Sequence, residues 1–238
     1  MDAQTRSELK QEDPFIHTTQ AGLDWIAENR AKALRIAIAA VVLIAAIVLA
    51  GVLYEQRSAT AANAFGQASA VYNTPLTDPT QPMPPGVKTY ATAADRAKDA
   101  YPLFEQVAQK YGSTTAGHNA QYFAGLAAAD TGNNAQAEAD FRKVADFHDA
   151  NLAALGKMAL ANLLAQHGQN NEALKLYEEL IKSPTTTVPM SMGQLQLAAL
   201  YEAENKPANA NEIYALIKAK DSKTAAGQIA AQKLAGQH

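Results

Sequence analysis

Residues 168–180 read GQNNEALKLYEEL, and this stretch decides the fold. Ala173, Tyr177 and Leu180 stand at i, i+4 and i+7, which places a small, an aromatic and an aliphatic side chain on one helix face. Gly168-Gln169-Asn170, just before them, is a break that stops one helix and starts the next. The same trio recurs in both directions. Ala137, Phe141 and Val144 precede it by 36 residues, and Ala210, Tyr214 and Ile217 follow it by 37. Counting 37 back from Ala137 lands on Ala100, followed by Phe104 and Val107. Four sets in register mark an internal repeat.

The breaks fall where pairs of helices need them. Thr131-Gly132-Asn133 precedes the second set and Asn205-Lys206-Pro207 the fourth. Each unit therefore reads as helix, tight turn, helix: about 117–130 with 134–147, 151–166 with 170–182, and 190–203 with 207–219. The first unit is interrupted. A helix over about 55–72 is followed by residues 73–86, which hold Pro75, Pro79, Pro82, Pro84 and Pro85, half of the ten prolines, and so form a loop. Its partner helix starts near Thr92, with Pro102 as a point of bending or delay. Residues 222–236 supply a last helix without a mate, as a solenoid cap does.

Residues 36–54, IAIAAVVLIAAIVLAGVLY, carry no charge. At about 1.5 Å per residue they span roughly 28 Å, the hydrocarbon thickness of a bilayer. Eleven of them are Ile, Leu or Val, and the run is apolar on every face, as a transmembrane helix is. Arg30, Lys32 and Arg35 crowd its N-terminal side, whereas Arg57 alone lies close on the other. The positive-inside rule then places residues 1–35 in the cytoplasm and 55–238 across a bacterial inner membrane, in the periplasm. Ala59-Thr60-Ala61 and Ala62-Asn63-Ala64 offer signal-peptide cleavage patterns, but the long leader and the length of the run favour an uncleaved single pass. Upstream, Leu23, Ile26, Ala27, Arg30 and Leu34 recur at helical spacing, with Trp25 suited to the headgroup level, and read as a short amphipathic helix or a simple extension of the membrane helix. Residues 1–20 are polar, mixed in charge and expected to be disordered. Ala39, Ala46 and Ala50 form a small-residue stripe that could seat another helix.

A net charge of -3 gives no basic field for nucleic acid, and the lack of cysteine removes disulfides, thiolate metal sites and thiol nucleophiles. The Ala-rich composition leans all-α. None of His17, His118, His148, His167 and His238 has a second ligand at metal-site spacing. His148 beside Asp149 reads as a solvated helix end, and Glu178-Glu179, Glu202 and Glu204 as solvated helix faces. No phosphate loop or nucleophile elbow is present, so neither enzyme, cofactor, metal nor small-molecule substrate is expected.

These units resemble the tetratricopeptide repeat. Gly125 occupies the glycine position of that motif's first helix. Ala137, Ala173 and Ala210 take the small position of its second helix, and Phe141, Tyr177 and Tyr214 the aromatic one. No Trp opens a first helix, one unit alone has the glycine, and a unit-ending proline occurs only as Pro184. The fold implied is an all-α chain, one transmembrane helix followed by an α-solenoid of stacked hairpins. In the register of the motif, the concave face falls on Asn119, Tyr122 and Leu126, then Leu155, Met158 and Asn162, then Met192, Leu195 and Ala199. This strip is apolar and contains no lysine, so it lacks a two-lysine carboxylate clamp and would suit apolar or amphipathic peptide. Each of these side chains could instead be buried between helices.

The segment with Trp25 and Glu28-Asn29, followed by basic residues, one membrane helix and a repeat domain, is similar to the ancillary subunit family of the SecYEG translocon. That family tends to have Gly where Arg30 stands, and aromatics beyond the membrane where only Tyr54 remains. The resemblance implies partners among translocon subunits, a periplasmic chaperone and unfolded exported polypeptides. A cell-envelope assembly or division scaffold, and a membrane-tethered regulator of a cytoplasmic signalling protein, are the alternative readings.

Overall fold

A computed structural model describes residues 27–78, 80, 84 and 86–236. The polar segment 1–20, the stretch containing Leu23, Trp25 and Ile26, and Pro79, Pro82 and Pro85 of the loop lie outside the described residues. Among the described residues there are nine α-helices and no strand. We number them α1 (Arg30–Tyr72), α2 (Ala93–Lys110), α3 (Thr115–Asp130), α4 (Asn134–Ala145), α5 (Ala150–Gln166), α6 (Asn170–Lys182), α7 (Met190–Ala203), α8 (Pro207–Asp221) and α9 (Ala225–Ala235). The chain divides into two compact units, Met1–Gln56 and Arg57–His238.

In the first unit, α1 is long and apolar enough to cross a membrane. Ile38, Val41, Leu43, Ile47 and Leu49 are each more than half exposed, so the apolar side chains have no protein to cover them. The sequence reading places a separate helix at 55–72, but α1 runs unbroken over 43 residues. The physical reason is plain. No proline interrupts it, and beside Gly51 and Gly66 there is open space, so neither residue marks a bend against a neighbour.

The second unit is a stack of helical hairpins. The end of α1 pairs with α2, then α3 with α4, α5 with α6 and α7 with α8, and α9 is the last helix among the described residues. All twelve trio side chains are buried, none more than 4% exposed. Successive turns are built alike. Gly132 and Gly168 have φ of 76° and Asn205 has 57°, the left-handed residue that ends a first helix. The very next amide reaches back each time: Asn133 to the Ala128 carbonyl, Gln169 to Leu164 and Lys206 to Tyr201, at 3.0, 2.9 and 2.8 Å.

Small residues set how closely the helices cross. A Cβ on Gly125 would lie 2.6 Å from the Phe141 ring, and the equivalent positions hold Ala161 and Ala198, both fully buried. One glycine therefore suffices, because Ala fills the same contact in the other two units. Ala173, with no exposed surface, sits at the second-helix side of this crossing. Ala173→Leu is expected to overpack it and cost about 1–3 kcal/mol. An unchanged thermal midpoint would show that the repeat register is wrong.

Pro102 lies on the exposed face of α2, where the carbonyl it leaves unpaired meets water, and the helix continues past it. The base of the Pro-rich loop is tied down. Leu76 bridges Tyr90, with Thr77 N–H donating to the Tyr90 carbonyl at 2.8 Å and Tyr90 N–H to Pro75 at 3.1 Å. The Tyr90 hydroxyl donates to Asp99 at 2.7 Å, and Arg96 donates to the Thr74 carbonyl at 3.1 Å. Three of the acidic residues read as solvated faces, Glu179, Glu202 and Glu204, also tie elements together. Lys157 pairs with Glu179 at 2.9 Å, Lys233 with Glu202 at 2.7 Å, and Asn170 donates to Glu204 at 2.9 Å.

Candidate peptide-binding groove

Beyond neighbours in sequence, the touching helices are α3 with α5, α5 with α7 and α7 with α9, all of them first helices. The furrows between them are the natural site of a concave face. Between α3 and α5 lies a concavity of about 220 Å³ lined by Tyr122, Leu126, Leu155, Met158 and Asn162, together with Ala129, Phe141, Ala159, Leu163 and Gln166. Between α5 and α7 lies a second, of about 360 Å³, lined by Asn162, Ala165, Gln166, Tyr177, Gln196, Ala199, Leu200 and Ala203. The two share Asn162 and Gln166 and so form one groove.

Five of the nine residues read from the sequence thus come together in the first concavity, and Asn162 and Ala199 in the second. Three line neither. Met192 is exposed, Asn119 is half-buried, and Leu195 packs against the core of α7, α8 and α9. Met158 touches the groove but is only 7% exposed and belongs to the main core. It is held there because α5 is covered on two sides by α4 and α6. Gln166 and Ala203 escaped the sequence reading, although they lie four residues beyond Asn162 and Ala199. One more turn of the same register would have found them.

No charged side chain lines either concavity. Elsewhere the lining differs. A concavity of about 340 Å³ beside α2 carries Asp95 and Lys98, and another of about 300 Å³ beside α5 carries Lys157 and Glu179. The phenols of the groove add no charge either. Burial pushes the Tyr177 hydroxyl up to about 12, and burial also raises that of Tyr122. Tyr177 donates to Asn162 Oδ1 at 2.7 Å, which fixes the amide in the groove wall.

Nothing in this arrangement points to chemistry. Asp149 caps α5, its Oδ1 accepting from the Asn151 and Leu152 amides at 2.9 and 3.1 Å, which gives this carboxylate a structural role at the helix start. His118 stacks on Phe147 with ring centroids 4.3 Å apart. His167 bonds through Nδ1 to the Leu163 carbonyl at 2.7 Å. Among the described residues no cluster of His, Asp and Glu could hold a metal ion.

Residues 24–184 match the profile of the tetratricopeptide repeat-like domain family. The chain belongs to that family. The matched stretch takes in the Glu28-Asn29 pair, the apolar part of α1 and the hairpins through α6. A tetratricopeptide repeat-like domain is a protein-interaction scaffold, which agrees with a groove that has walls but no reactive groups. No curated protein matches the sequence.

Proposed function

We propose that this chain is a single-pass inner-membrane protein whose repeat domain lies in the periplasm and holds apolar or amphipathic stretches of polypeptide along its first-helix groove. In that role it works as an ancillary subunit of the Sec translocon, beside a periplasmic chaperone, and takes up exported polypeptides as they emerge. The carrying observation is the absence of charge from both concavities between α3, α5 and α7. An apolar guest gains from burial there, whereas a charged one loses its hydration with no partner in return. The cation bias around α1 supports the orientation, and the Trp25…Glu28-Asn29 stretch ahead of the membrane helix supports the translocon setting.

Ala199 is exposed on the groove wall, so a photoreactive side chain there leaves the fold intact. Irradiated in cells, such a variant is expected to yield adducts with polypeptides in transit across the membrane. Adducts with cytoplasmic proteins alone would overturn the orientation. Adducts from the exposed Leu216 of α8 but none from position 199 would move the binding face to the second helices.

A further inference from the structure

The two edges of the repeat unit differ in charge. Successive helices run in opposite directions, so α2, α4, α6 and α8 end at the edge where α3, α5, α7 and α9 begin. Contacts tie that edge together: Arg57 donates to the Lys110 carbonyl, His118 stacks on Phe147, and Thr186 and Thr187 donate to Asn151 at 2.7 Å. Each helix that ends there carries cations in its last turn: Lys110, then Arg142 and Lys143, then Lys182, then Lys218 and Lys220. By contrast, α3, α5 and α7 end at the other edge and carry none. Lys233 of α9 does lie at that other edge, but it is paired with Glu202. The helix dipole draws cations to every C-terminus alike, so it does not account for the difference.

Arg142 and Lys143 are held by Glu138, Glu172 and Asp140. Lys110, Lys182, Lys218 and Lys220, with Lys223 in the next turn, are exposed and have no acidic partner among the described residues. Arg57 and Lys110 instead share the Tyr111 ring, 5.8 and 5.3 Å from its centre. The acids of this edge are Asp146, Asp149 and Asp221, with Glu55 just ahead of Arg57, and Asp149 is engaged in capping α5. Apolar side chains accompany the cations. Met190 and Met192, in the first turn of α7, are 39% and 44% exposed. Arg57 also fixes where this edge starts. It stands three residues past Tyr54, the end of the charge-free run, about 4.5 Å along an unbroken helix.

We infer that this basic edge rests on the anionic phospholipid headgroups of the leaflet from which α1 emerges, with Met190 and Met192 reaching into the interface. The inference rests on α1 crossing a membrane, not on what the groove holds. Each Lys or Arg near an anionic surface strengthens attachment roughly fivefold, and salt screens that attraction. Methionine adds adaptable apolar contact at the headgroup level. The opposite edge, whose Lys206 and Lys233 are neutralised by Glu204 and Glu202, stays in water.

The test uses the full chain in lipid nanodiscs. Because the chain has no cysteine, one introduced cysteine carries a unique dye. Ser183→Cys places it on the basic edge, and Gln169→Cys places it roughly 21 Å away, at the other end of α6. A fixed small share of the lipid bears a quencher on its headgroup. Discs of phosphatidylcholine are compared with discs that also contain phosphatidylglycerol. The dye at 183 is expected to be quenched in the anionic discs, to recover in high salt, and to stay bright in phosphatidylcholine alone. The dye at 169 should stay bright throughout. Lys182→Gln with Lys220→Gln and Lys223→Gln should lower the ratio of docked to free domain roughly a hundredfold, and an unchanged melting curve checks the fold. Equal quenching at 183 in both kinds of disc, or stronger quenching at 169 than at 183, overturns the inference. So does a dye at 183 that stays bright in every disc, which assigns the basic edge to a protein partner. Failure of the chain to enter discs at all overturns the membrane reading of α1 and the inference together.

Discussion

Replacing Phe104 with alanine is expected to lower the stability of the repeat domain by about 3–5 kcal/mol. The ring has no exposed surface and is the centre of an aromatic group, with Phe65 and Tyr72 of α1 each 5.8 Å away and Phe123 of α3 at 5.4 Å. Its removal leaves a cavity walled by three rings on two other helices, and rings held by their own helices cannot collapse into it. The pairwise aromatic terms, about 0.5–1.5 kcal/mol each, are lost as well. For a domain of this size the midpoint of thermal unfolding should fall on the order of 10 °C. Leu103, its neighbour on the exposed side of α2, serves as the control, and truncation there should change little. Similar midpoints for the two variants would mean that α1 does not pack on α2 and α3 as described.

Gly117→Ala is expected to cost at least about 3 kcal/mol, the upper end of what overpacking does, although alanine is the better helix former. A Cβ at this position would stand 2.0 Å from the Tyr111 carbonyl oxygen. That oxygen cannot withdraw, because it accepts both the Thr114 amide at 2.9 Å and the Thr114 hydroxyl at 2.8 Å. Thr114 in turn caps α3 by accepting from Gly117 N–H at 3.1 Å. The same device recurs three repeat lengths later. Thr224 donates to the Asp221 carbonyl, caps α9 through Gly227, and a Cβ on Gly227 would again stand 2.0 Å from that carbonyl. Gly227→Ala should cost less, since α9 ends the described chain and can swing outward. Chemical unfolding of the two variants checks both statements, and equal, small losses would show that the turn relaxes in place of the helix.

The recurrence of this turn also defines α9. It begins as a first helix begins, so it is the first half of a fifth hairpin. That explains why the last segment looks like a cap in the sequence: among the described residues it packs on α7 and α8 and covers the end of the stack.

Most of the helical plan was legible from single residues. The trios at Ala100, Ala137, Ala173 and Ala210 repeat because each second helix buries one narrow stripe, and a stripe of that kind leaves a clear 3.6-residue pattern. Gly132, Gly168 and Asn205 were legible as turns because few residues accept a positive φ. The charge-free run at 36–54 needed no context at all, since its length and composition alone meet the thickness of a bilayer.

The first helices were another matter. α3, α5 and α7 are packed between two second helices and touch the next first helix as well, so they are apolar on most faces and carry little periodic signal. From the sequence, Tyr122, Met158 and Leu195 are equivalent apolar positions on such helices. Only their neighbours decide that Tyr122 faces the groove, that Met158 is held in the core at its edge, and that Leu195 packs toward α8 and α9. Gly117 and Gly156 carry no local mark either, because what forbids a side chain there lies outside their own helices: the Tyr111 carbonyl for the first, the Val144 side chain and the Ala145 amide for the second. Helix ends and spans depend on the chain's own conformational preferences, which a sequence displays. Which side of an apolar helix is left open depends on what packs against it, and that exists only once the hairpins have stacked.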